Sequence, residues 1–89
     1  IEALQDPEKT VRGSAAAALG SIGPPAKQAI SPLAKLLDDE DFNVRSTALG
    51  ALRQLRAETP DAIAAYLRGL KDKDGHVRFT AIISAPRAK

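Results

Sequence analysis

The sequence predicts an all-α fold built by stacking antiparallel helix pairs. Three observations carry this. One phrase is written three times: Val11-Arg12 returns as Val44-Arg45 and again as Val77-Arg78, 33 residues apart each time, a period in the range of solenoid repeats. In the same register Leu4, Leu37 and Leu70 align, as do Ala15, Ala48 and Ala81. Within each unit the apolar residues fall at helical spacing. Finally, the 44% apolar content is mostly Ala, Leu, Ile and Val, with Phe42, Phe79 and Tyr66 the only aromatics, a composition suited to helices packed closely through small side chains.

Along the chain, residues 1–5 read as the tail of a helix. Asp6 before Pro7 reads as an N-cap with Pro at N1, where the missing N–H has no intrahelical acceptor in any case. This predicts a helix over about 7–21, with Val11, Ala15, Ala18, Leu19 and Ile22 as its apolar stripe. Gly23 and Pro24-Pro25 end it. The next helix is expected over about 26–37, carrying Ile30, Leu33, Leu36 and Leu37. A third, over about 40–55, repeats the stripe as Val44, Ala48, Ala51, Leu52 and Leu55. Thr59-Pro60-Asp61 starts a fourth over about 60–71, with Ile63, Tyr66, Leu67 and Leu70 in phase. The last spans about 73–84, and Pro86 stops it. The whole chain, 1–89, reads as one domain of about two and a half 33-residue units.

Composition removes several function classes. Cysteine is absent, so there is no disulfide, thiolate metal site or cysteine nucleophile. The longest apolar run, residues 15–19, is far short of the roughly 20 residues of a membrane span; a soluble chain is expected, with the cytoplasm the favoured compartment. Thirteen basic against eleven acidic residues leave a net charge of +2, too weak and mixed a field to make nucleic acid the expected partner. The chain opens on Ile1 and contains no Met, and reads as a piece of a longer array.

At this point "LLDDEDFNVRSTALGALRQL" resembles the HEAT-repeat family, and specifically its short bacterial and archaeal HEAT-like members: a helix end, an Asp-rich turn, Val-Arg and an Ala-Leu helix. The resemblance covers essentially the whole chain and implies a right-handed, armadillo-type superhelix. It also implies that Asp6, Arg12, Asp39, Arg45, Asp72 and Arg78 form a ladder of contacts between neighbouring repeats. Pro32 resembles the proline that often kinks the first helix of such a repeat. Ala65 replaces it in the second unit, where a straighter helix is expected.

Two function classes follow. The first is a non-catalytic scaffold that binds a protein partner on a concave face. The second is an accessory segment of a HEAT-like enzyme subunit such as a bilin lyase. Another family member, an iron-dependent hydroxylase, would carry a His-Glu pair just after each arginine. Gly13-Ser14, Ser46-Thr47 and Phe79-Thr80 occupy those places, which removes that activity from this segment. A HEAT-like DNA-repair fold would call for a strongly basic groove and ranks last. No cofactor is expected. His76, the single histidine, lacks a metal-ligand partner at i+3 or i+4 and reads as a solvated turn residue. The acidic run 38–41 lacks the alternating ligands and glycine of a calcium loop. No nucleophile stands beside a base.

For the partner face, the resemblance places the second helix of each pair on the concave side. The residues opposite its stripe are then Lys9, Gly13, Ala17 and Gly20, then Phe42, Ser46, Gly50 and Arg53, then Phe79 and Ile83. Of these, Phe42, Arg53, Phe79 and Ile83 combine bulk with a cation, as interface anchors do, and form the predicted contact patch. The chain begins and finishes part-way through units, so Leu4 and Ile82 are expected at exposed ends, with end-to-end association of copies as the consequence.

Overall fold

A computed structural model describes residues 2–85. Among these residues five α-helices are present: α1 (Lys9–Ile22), α2 (Ile30–Lys35), α3 (Phe42–Gln54), α4 (Pro60–Leu70) and α5 (Gly75–Ser84), with short 3-10 turns at Glu2–Gln5, Pro24–Ala29 and Leu36–Asp38. No strand occurs among the described residues. In one layer α3 lies between α1 and α5; α2 and α4 pack side by side in the other. The result is a helical-repeat solenoid in a slab of 37 × 31 × 18 Å.

Local chemistry sets the helix starts. Asp41 accepts from the Val44 N–H at 3.1 Å and Asp74 accepts from the N–H groups of His76 and Val77 at 2.9 and 3.1 Å, so α3 and α5 open on capped ends. Thr59 caps α4 at Ala62 N, with Pro60 in the first turn. At α1 the expected Asp6 cap is displaced: Asp6 Oδ1 accepts from Glu8 N at 2.9 Å, and the helix begins two residues later behind Glu8, which makes no side-chain cap bond.

The helix expected over 26–37 is broken into three. Ala26 is non-helical (φ −91°, ψ 34°), a 3-10 stretch runs to Ala29, and α2 proper starts at Ile30. This start leaves Pro32 in the first turn, where an amide N–H would have had no acceptor within the helix. The counterpart α4, without that proline, runs uninterrupted. The two helix ends that turn sharply do so differently. Gly23 takes φ 77°, which glycine adopts without strain. After α3 it is Arg56 that enters the left-handed region at φ 55°, held by Ala57 N to Leu52 O and Arg56 N to Arg53 O at 3.0 and 2.9 Å.

The core lies between the layers, with Leu33, Leu49, Leu52, Leu55, Val44 and Val77 fully enclosed. Gly69 lets α4 approach closely, because a Cβ there would stand 2.8 Å from both Ala81 Cβ and Leu49 Cδ1. Two expectations about burial need correction. Leu4 is 2% exposed, because its 3-10 turn folds back on α1. Conversely Val11 and Ile22, placed in the core by periodicity, are 39% and 58% exposed. Their counterparts Val44 and Leu55 are covered; in this layer α3 has α1 on one flank and α5 on the other, whereas α3 is the one α-helix of the layer that α1 meets among the described residues.

Candidate functional site

The repeated Asp and Arg residues are bonded across units. Arg12 Nε and Nη2 donate to Asp39 Oδ2 and Oδ1 at 2.6 and 3.1 Å, and Arg45 does the same to Asp72 at 2.9 and 3.2 Å, each pair 27 residues apart. These are two-point forks, the strong form of such a bond. Each arginine also ties into its own unit: Arg12 Nη1 donates to the carbonyls of Asp6 and Pro7, and Arg45 Nη1 to that of Asp39. Oδ1 of Asp39 and of Asp72 accepts in addition the N–H two residues on, at 2.9 Å. The side chains of both pairs are 6–13% exposed. Burial pushes the Asp72 carboxyl up, but the Asp74 N–H and the Arg45 fork outweigh it and hold the group below the usual carboxylate range. The Val44 N–H, helped by Lys9 at 3.5 Å, likewise holds Asp41 low. The carboxylate of Asp39 raises the pKa of Arg12.

These bonds engage most of the acidic run. Asp39 meets Arg12, Asp41 caps α3, and Asp38 meets Arg68 of α4 at 2.5 Å on the exposed side of the other layer. No cluster of three potential metal ligands occurs among the described residues. His76 is exposed, and its backbone N–H is taken by Asp74.

The outer face of the α1–α3–α5 layer follows from α3. Leu49, which touches Gly69, and Leu52 point to the other layer; Val44 and Ala51 point to α1, where they meet Gly13 and Gly20; Ser46 bonds Thr80 of α5 at 2.8 Å. Opposite Leu52 stand Asn43, Thr47, Gly50 and Gln54, and a Cβ added to Gly50 would meet nothing within 4 Å. The outer stripe is therefore turned from the one expected, in which Ser46 is 7% exposed and Gly20 is buried against α3. It is short and rich in hydroxyls: Ser14, Thr47 and Thr80 form one column, Ala17, Gly50 and Ile83 the next. The hydroxyl column was visible as a 33-residue repeat but lay beside the chosen stripe.

One hollow lies on this face and a second where α3, α4 and α5 meet. One, of about 260 Å³, runs between α1 and α3 past Thr10, Ser14, Asn43 and Thr47. Another of about 260 Å³ brings Arg53 and Ile83 together with Arg56, Glu58, Tyr66 and Ser84. Tyr66 donates to the Ala57 carbonyl at 3.0 Å, and burial pushes its hydroxyl up to about 12, with Glu58 adding to the shift. Ser84 Oγ is buried and has no partner among the described residues. Phe42 and Phe79 are 42% and 59% exposed but do not share a surface. Phe42 lies one helical turn before Ser46, on the side of α3 that faces α5. Phe79 occupies the Ser46 column on α5 and so points away from α3, at the end of the stack. Thus the structure brings together Arg53 and Ile83 and leaves the two phenylalanines apart.

Stacked helix pairs locked by a periodic Arg–Asp ladder define an α-solenoid repeat protein. The family model for HEAT repeats matches residues 1–86, and the chain belongs to that family. No curated protein matches it. HEAT repeats are generally protein-interaction scaffolds. No helix among the described residues is long and apolar enough to cross a membrane.

Proposed function

We infer that this chain is a non-catalytic scaffold that takes a protein partner at the hollow where α3, α4 and α5 meet, with Arg53 and Ile83 as anchors. The observation that carries the reading is their shared hollow of about 260 Å³ at the junction of α3, α4 and α5. An exposed arginine beside an isoleucine that is 48% exposed offers a charged and an apolar contact together. The ladder arginines support the same division of labour: Arg12 and Arg45 are consumed within the fold, and Arg53 is not.

A photo-crosslinking residue at position 83, compared with one at Lys35 on the other layer, tests the face. The expected result is a specific adduct from position 83 only; equal labelling from both positions, or none from 83, would overturn it. With the partner in hand, Arg53→Ala should weaken binding by about 1 kcal/mol or more and leave the unfolding midpoint in place.

A further inference from the structure

Four departures from the repeat fall together where α3, α4 and α5 meet. At the junction of the first two units Gly20 packs onto Ala51, so closely that a Cβ on Gly20 would stand 3.0 Å from Ala51 Cα, and Gly23 makes the turn that follows. One period on, Arg53 replaces Gly20, Arg56 replaces Gly23, Ile83 replaces Gly50 and Ser84 replaces Ala51. In place of small residues packed on each other there is a hollow of about 260 Å³, which all four of these residues line. It lies between two units inside the stack: Ser84 faces α3 from α5, as Ala51 faces α1 from α3.

Packing accounts for none of these changes. Ser84 is 6% exposed, and its Oγ has no hydrogen-bond partner among the described residues; an alanine, as in the first junction, would sit there without burying an unpaired hydroxyl. Arg56 takes φ 55°, the left-handed conformation that glycine adopts without strain at the matching turn. Neither Arg53 nor Arg56 is in an ion pair among the described residues, although Glu58 lines the same hollow. The guanidiniums only donate and the serine hydroxyl can donate, so the group that completes them is an acceptor. Two arginines against one glutamate leave a surplus of one positive charge, which matches a single carboxylate better than a doubly charged phosphate.

We propose that the hollow receives an acidic side chain of a partner peptide, its carboxylate held by Arg53, Arg56 and Ser84 Oγ, with a neighbouring aliphatic side chain packed on Ile83. This rests on the reading of the hollow as the partner site and adds the partner's chemistry to it.

Selection of a displayed library of short random peptides on the immobilised chain tests this. The expected selection is rich in Asp or Glu beside Leu, Ile or Val. The selected peptides should lose affinity about tenfold or more on Arg53→Gln and about fivefold on Ser84→Ala; Arg56→Gly and Ile83→Ser should also weaken them. Changing the peptide's acid to its amide should weaken binding to the unaltered chain and add nothing once Arg53 and Arg56 are both glutamine. Thermal unfolding separates these losses from misfolding: Ser84→Ala removes a buried unpaired hydroxyl and Arg56→Gly restores glycine to a left-handed turn, so both should leave the midpoint in place or raise it. Selected peptides without an acid that still depend on Arg53 and Ile83 would overturn the acidic chemistry and leave the partner site standing. Acidic peptides indifferent to all four substitutions would overturn both, and a library that yields no binder would overturn the proposal.

Discussion

Asp72 gives up most of its hydration and receives three hydrogen bonds in return, one from Asp74 N–H and two from Arg45. Asp6 sits in the corresponding turn and, among the described residues, receives only the backbone bond. Residues identical in the repeat therefore have unequal effects on stability. Asp72→Ala leaves Arg45, 7% exposed, without its carboxylate and should cost about 2–3 kcal/mol. Asp6→Ala, measured where the chain is monomeric, should cost at most about 1 kcal/mol. Denaturant midpoints distinguish the two, and equal losses would mean that the fork adds nothing to the turn. The sequence made the Asp and Arg columns plain, but which aspartate each arginine would hold was not legible. The partner lies 27 residues on in the next unit, while the aspartate six residues back offers only its carbonyl.

At the scale of elements, α1 and α3 carry the same stripe and bury it differently. Leu55 is 2% exposed and Ile22, one period earlier, is 58% exposed. Leu55→Ala should therefore destabilise by roughly 2–5 kcal/mol, and Ile22→Ala by no more than about 0.5 kcal/mol. Thermal unfolding of dilute samples checks both, and comparable losses would place Ile22 in the core of the isolated chain. Periodicity finds the apolar side of a helix. It cannot say whether a neighbour covers that side, because the neighbour belongs to another unit. The outer stripe was misjudged for a related reason: Ser46 and Gly20 are small and polar or neutral, as a solvent face would be, yet they are small because another helix packs onto them.

For the whole molecule the ladder couples stability to pH. The folded carboxyls of Asp41 and Asp72 titrate below the ordinary range, so in acid the unfolded chain binds more protons than the folded one. Their contribution is fully present above the unfolded Asp value of about 3.9 and is lost as pH falls through the depressed folded values. The unfolding temperature should hold steady from pH 7 to about pH 5 and drop below about pH 4. Asp72→Asn should start lower at pH 7 and fall less steeply, since its amide does not titrate. A parallel fall in both proteins would assign the acid sensitivity to other groups.

By itself the sequence determined the period, the helical class, the family resemblance and the column to which each residue belongs. Those depend on local spacing and on backbone preferences that operate within a few residues, such as Asp41 and Asp74 capping and Gly23 turning. The tertiary structure decided which columns are covered, where each arginine finds its carboxylate and which residues share a surface. It parted Phe42 from Phe79 and joined Arg53 to Ile83. The reason is that burial and ion pairing are properties of neighbours in the stack: Val11, Val44 and Val77 occupy one column, but among the described residues only the last two are covered by a neighbouring helix.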